Sequence, residues 1–281
     1  MNVRARIRLN ATPMASSRGA SSDESAIGKA MSAPAANLDQ SIPRSAAPNR
    51  PPPALLQRVP MFAQLDGAIL DHLRAISVVA DVDDGSELCR EGDRAESLQI
   101  LLEGMVTLSA DGPNGRTAVV EVVKPVRHLV LATVLAALPY AMTATAIAPS
   151  RMLVIDADGL HALLREDAAL ANSLMRAQAL DFGAMVREVC DLKLRTAAQR
   201  LGCYLLELSQ EQPAWGAQLR LPIGKQLLAA RIGCRHENLS RAFASLREFG
   251  VETHGKRVIL HDIPSLQEFT FPAGPAAPEP A

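Results

Sequence analysis

The chain has 281 residues, 29 Lys and Arg against 30 Asp and Glu for a formal net charge of −1, and 48% hydrophobic residues. A chain of this length suits about two domains of roughly 100–200 residues each, and it is apolar enough to give both a core, which excludes a wholly disordered or uniformly basic protein. The longest apolar segment, Leu129–Ala148, is broken by Thr133, Pro139, Tyr140, Thr143 and Thr145; it falls short of the roughly 18 uninterrupted apolar residues of a membrane span and reads as domain interior.

No membrane association is expected, and the opening MNVRARIRLN lacks the apolar centre of a secretory signal, so the expected location is cytoplasmic. Cys89, Cys190, Cys203 and Cys234 are widely spaced and form neither a CxxC nor a Cys/His zinc pattern. They read as free thiols, with no metal site.

Residues 1–53 are rich in Ala, Ser and Pro, end in Pro51-Pro52-Pro53, and carry seven basic residues against three acids. With no apolar period, they read as a disordered tail. Residues 54–165 read as a sensor domain. Leu65, Ile69, Leu73 and Ile76 share one face of a leading helix. Short β-prone runs follow at 78–82, 98–102, 105–109, 118–123, 143–147 and 152–155, separated by turns at Asp84-Gly85, Glu91-Gly92-Asp93, Glu103-Gly104 and Pro113-Asn114-Gly115. Short strands with glycine corners predict a small antiparallel β-barrel or jelly roll.

Residues 166–194 predict one long helix. Met175, Gln178, Phe182, Met185, Val189 and Leu192 follow alternating steps of three and four, a heptad seam suited to a homodimer. Leu170, Leu174, Ala177 and Ala184 form an adjacent strip able to pack on the sensor, although one wide strip buried within the monomer would show the same pattern.

Residues 195–270 carry the chemistry. After a hinge at 193–196 and a helix bearing Leu201, Tyr204, Leu205 and Leu208, a short helix at 225–232 and a second helix flank Gly233-Cys234. In the second helix Leu239, Ala242, Phe243 and Leu246 lie at i, i+3, i+4 and i+7, which leaves Glu237, Ser240, Arg241 and Arg247 on the opposite face. The run VETHGKRVIL then reads as a hairpin wing about His254-Gly255. This is a winged helix-turn-helix, whose second helix can enter a major groove. From Arg220 to His261 eight basic residues face three acids, a local balance of +5 that suits the phosphates of double-stranded DNA. Residues 271–281 read as a flexible tail.

This α+β order, together with Gly85, Gly92, Gly104 and the segment Gly233-Cys-Arg-His-Glu-Asn-Leu-Ser-Arg241, resembles the Crp/Fnr superfamily of bacterial transcription regulators over roughly residues 55–269. The Glu-x-x-Ser-Arg form is similar to the Fnr side, and PIGKQLLAARIG followed by HENLSR is similar to Dnr-type regulators that respond to nitric oxide through haem. The resemblance implies that Glu237 and Arg241 address a G·C pair, that Ser240 contacts a neighbouring base, and that His236 varies specificity. Lys225 and Gln226 would hold phosphates without reading sequence. It also implies a homodimer on an inverted-repeat operator and a contact with RNA polymerase. Two departures stand out: Arg235 replaces the usual Ser or Thr N-cap, and the wing is about one residue short before His254-Gly255.

Members that bind cyclic nucleotides hold the phosphate with a Gly-Glu turn and an Arg-Ser pair. Here the matching segment, RHLVLATVLAALPYAMTATAIA, lacks the Gly-Glu and puts Tyr140-Ala141 in place of Arg-Ser, so no guanidinium is expected there for the phosphate, and cyclic nucleotide binding is not expected. An Fnr-type iron–sulfur cluster is not expected either, since no cysteine precedes Cys89. What remains is an apolar cavity that could admit haem and a diatomic gas, an apolar ligand, or nothing; the Dnr resemblance implies haem, with His128 as the candidate ligand among His72, His128 and His161. The alternative function is a signalling module whose helix-turn-helix binds protein rather than DNA. No Ser/His/Asp set, phosphate loop or carboxylate pair points to an enzyme.

Overall fold

Residues 49–112, 116–211 and 218–271 are described by a computed structural model. Its first half is built on eight strands: β1 (Ser77–Val82), β2 (Glu87–Cys89), β3 (Ser97–Glu103), β4 (Val106–Gly112), β5 (Arg116–Val123), β6 (Arg127–Leu129), β7 (Thr143–Ala146) and β8 (Ser150–Asp156). They form two antiparallel sheets, ordered β1-β8-β3-β6 and β2-β7-β4-β5. The expected barrel is therefore two sheets in a jelly-roll arrangement, not a closed ring. In β3, Leu98, Ile100 and Leu101 are all fully buried, and since successive side chains point to opposite faces, both faces of that strand are covered. The outer cover includes helix α1 (Pro53–Gln57), with Leu56, and helix α2 (Gly67–Ala75), with Leu70 and Leu73. Asp66 caps α2 by accepting from the Ile69 amide at 2.9 Å.

Ordered packing begins before the expected boundary at 53. The Asn49 carbonyl accepts from the Val79 amide at 2.8 Å, and Pro51 is buried with its carbonyl accepting from Arg74 Nε at 3.2 Å. The rest of the expected tails (1–48 and 272–281) and the turn at 113–115 lie outside the described residues.

The corner glycines Gly85, Gly92 and Gly104 all have positive φ, at 82°, 87° and 99°. Gly104 has a second constraint, because a Cβ there would run into Ser150 and the Pro149 carbonyl.

Short helices α3 (Leu131–Leu135) and α4 (Ala157–Glu166) lead into α5 (Ala168–Leu194), capped by Asp167 accepting from the Leu170 amide at 2.7 Å. Leu170 and Leu174 complete the sensor core. Beyond them the predicted seam lies open, with Met175, Phe182 and Met185 at 63%, 64% and 60% exposure; the pattern is not one wide strip buried in the monomer.

After Arg195 and Thr196 come α6 (Ala197–Glu211), β9 (Gln218–Arg220), α7 (Lys225–Arg231), α8 (His236–Leu246), a 3-10 turn at Arg247–Phe249, β10 (Val251–His254), β11 (Arg257–Leu260) and α9 (Ile263–Thr270). The wing is a three-stranded sheet, β10-β11-β9, turning at Gly255-Lys256. α9 closes the domain on α6: Leu266 and Thr270 sit against Gly202, and Phe269 stacks on Phe249 at 4.1 Å. Cys190, Cys203 and Cys234 are free thiols and Cys89 is buried. Among the described residues, no helix is long and apolar enough to cross a membrane.

Gly104→Ala should destabilise the fold by at least about 1–3 kcal/mol, since it combines a left-handed backbone with a backbone clash. Gly67→Ala, at the first turn of α2 with open space around it, should be neutral or stabilising by up to about 1 kcal/mol. Urea denaturation of both variants checks the contrast.

Candidate nucleic-acid interface and sensor cavity

Helix α8 sorts its residues as its period demands. Leu239, Ala242, Phe243 and Leu246 are buried in the C-terminal core, whereas His236, Glu237, Ser240 and Arg241 are exposed. Glu237 and Arg241 stand one turn apart and Ser240 leaves from the same side, so the structure brings together the four predicted base-reading residues. Lys225 and Gln226 are exposed at the start of α7, whose N-cap is Gly224. There the helix-terminal amides favour an anion. α8 begins without a side-chain cap at Arg235, consistent with the departure in its sequence. The turn between the two helices needs Gly233, at φ 65°.

Other cations belong to this interface and escape the helix pattern. Arg220 on β9 stands directly across from Arg257 on β11, and Lys256 sits at the wing's tip, all three exposed. All three are already counted in the basic stretch from Arg220 to His261; what the sequence does not show is their placement on one wing, because β9 is only three residues long. On the same sheet Glu252 accepts from His254 Nε2 at 2.7 Å and His261 Nε2 at 2.8 Å. These bonds, led by His261, hold the Glu252 carboxyl below its ordinary value.

A cavity of about 570 Å³ lies where the sensor, α5 and the C-terminal domain meet. Five carboxylates and four arginines share its walls with apolar side chains such as Leu108, Leu131, Met142 and Ile232, so the cavity is mixed in character. Arg127 on β6 reaches both Glu121 and Asp181 at 3.4 Å. His128 Nε2 lies 3.3 Å from Asp181 Oδ2. Burial holds the His128 imidazole below its ordinary 6.5, with Asp181 opposing and Arg127 assisting. Of the other sensor histidines, His72 is exposed on α2 and His161 Nε2 lies 2.8 Å from the Val134 carbonyl. With Nε2 facing Asp181, only Nδ1 of His128 would be left to ligate a haem iron. Tyr140, in place of the phosphate-binding arginine, is buried and donates its hydroxyl to the Ser97 carbonyl at 2.9 Å.

Residues 79–167 match the family described as Cyclic nucleotide-binding domain, and residues 199–269 match Crp-like helix-turn-helix domain; together they span more than half of the chain. The chain belongs to the Crp/Fnr superfamily. Its relatives include a CRP-like cAMP-activated global transcriptional regulator of Mycobacterium tuberculosis, 21% identical over 74% of this chain and 95% of that protein. Among solved structures it is similar to a regulatory protein from Silicibacter pomeroyi DSS-3, at 28% identity, TM-score 0.53, and coverage of 78% of this chain and 97% of that one. The fold is shared with FixK2 from Bradyrhizobium japonicum, at 18% identity, TM-score 0.60, and coverage of 71% and 100%. This chain is thus a Crp/Fnr-type transcription regulator with a DNA-binding helix-turn-helix.

In this Crp/Fnr protein the sensor cavity should register in the pH dependence of stability. An unfolded His128 takes up a proton near 6.5 and the folded one only at lower pH. Stability therefore falls as pH drops below 6.5, and the term is absent above it. His128→Gln should flatten that part of the curve, measured as the difference in urea midpoint between pH 7 and pH 5. Equal slopes in the two proteins would mean that His128 is not buried against Asp181.

Proposed function

We propose that the protein works as a homodimer that reads an inverted-repeat operator and changes its DNA affinity when a small effector other than a cyclic nucleotide occupies the sensor cavity. The observation that carries this is the exposed set Glu237, Ser240 and Arg241 on a helix whose other face is fully used by the core. The open seam on α5 supports the dimer. Two recognition helices would then lie roughly 34–36 Å apart in successive major grooves. The Fnr-like form of the motif suggests a half-site similar to TTGAT, and RNA polymerase is the expected downstream partner. The cationic strip Arg220, Lys256 and Arg257 argues for DNA over a protein-binding role of the same surface.

The M. tuberculosis relative is named as cAMP-activated. Against the same ligand in this chain stand Tyr140, which fills the position of the phosphate-binding arginine, and Arg127, a guanidinium that does line the cavity but is engaged by Glu121 and Asp181. A cyclic phosphate would have to displace both carboxylates. A second reading, nitric oxide sensed through haem, draws on the Dnr-like HENLSR segment. It requires stoichiometric haem uptake with a Soret band that shifts on adding nitric oxide, and folded protein that takes up none removes it.

Titration over a panel of operator variants tests the recognition face. Arg241→Ala should cost about 1–3 kcal/mol per half-site and relax discrimination at one base pair. Lys225→Ala should weaken all sequences alike and flatten the salt dependence. If Arg241→Ala weakens every variant equally, Arg241 is a phosphate contact and the assignment of the reading face is wrong.

A further inference from the structure

The last turns of α5 do more than present a seam. Glu188 Oε1 accepts from Arg231 Nη1 at 2.9 Å, and Arg231 is the final residue of α7. One helical turn on, Leu192 lies against Gly233, where any Cβ would collide with its Cδ2. From the other side Arg200 of α6 grips the same turn, donating from Nε to the Ile232 carbonyl at 2.7 Å and from Nη2 to the Gly233 carbonyl at 3.2 Å, while its Nη1 holds the Arg195 carbonyl at 2.6 Å. The turn that aims the recognition helix is therefore clamped between the hinge arginine contacts and an i, i+4 pair on α5.

Leu192 and its neighbour Val189 also belong to the seam, at 46% and 45% exposure. The same stretch of α5 thus faces a partner helix and seats the helix-turn-helix. The sensor contributes to this seat: α7 packs on β5, Val122 and Met105 join the C-terminal core, and Lys124 Nζ pairs with Glu211 at 2.6 Å.

We propose that Glu188 and Leu192 form a seat that fixes each recognition helix relative to the dimer axis, so that the Glu188–Arg231 pair is a positioning element for half-site spacing. This rests on the homodimer reading above. With the seat intact, the two recognition helices move as one body and accept one separation of half-sites. With the seat loosened, each domain turns on the Arg195-Thr196 hinge and tolerates wrong separations. Neither Glu188 nor Arg231 reads a base in this scheme.

The test uses the full-length protein, an inverted-repeat operator, versions of it with the halves moved apart by one or two base pairs, and a single half-site. Glu188→Gln and Arg231→Gln should each reduce discrimination between the correct and the altered spacings by about tenfold, since two pairs are lost per dimer, and Glu188→Gln, which lies outside the basic stretch, should leave half-site affinity within about twofold. The exchanged double variant, Glu188→Arg with Arg231→Glu, should restore discrimination. A dimeric Glu188→Gln that discriminates spacings as well as wild type overturns the seat alone. If Arg231→Gln weakens every DNA including the half-site and Glu188→Gln does not, Arg231 is a phosphate contact and the proposal also fails. A wild type that sediments as a monomer and ignores spacing removes the dimer reading and the seat with it.

Discussion

Helix α5 has to satisfy two apolar faces with one monomer's worth of partners, and it satisfies only one. Leu170 and Leu174 are buried in the sensor, so its first turns belong to that domain. From Met175 onward the other face stays in water through Phe182, Met185, Val189 and Leu192. Full burial of such a side chain is worth about 1.5–3 kcal/mol, so several per subunit can offset the entropic cost of association. A scattered exposed leucine would mean little; a stripe with heptad spacing is the surface that the proposed dimer would bury.

The same helix joins the three functional parts. It supplies Asp181 to the His128 and Arg127 cluster of the sensor, Glu188 to the end of α7, and Leu192 to the turn before the recognition helix. A ligand in the cavity between these parts would touch the sensor wall and the base of the DNA-binding domain together. Such a ligand shifts a population only through contacts that differ between two arrangements, and a partly exposed lining of mixed charged and apolar side chains can provide that difference.

The sequence made the recognition helix and the long helix legible because both have strong periods: the apolar set Leu239, Ala242, Phe243 and Leu246 can only be one helical face, and Gly85, Gly92 and Gly104 mark corners that need positive φ. The predicted reading residues accordingly fall on one open surface. Strands β2, β6 and β9 were not legible, since three residues show no alternation, and Pro264 hid α9 by standing within its first turn. The character of the sensor cavity was hidden for another reason. His128 and Asp181 are 53 residues apart, and Glu188 and Arg231 are 43 apart, so the pairs that charge its walls exist only after the domains pack.

Sedimentation equilibrium on the wild type and on Phe182→Glu, each with and without inverted-repeat DNA, addresses the dimer most directly. The expected result is a wild-type dimer at micromolar concentration and a folded monomer for the variant, in which a charge replaces the centre of the seam. A wild type that remains monomeric even on operator DNA, or a Phe182→Glu protein that dimerises as well as wild type, would contradict the role of α5 as the dimer seam.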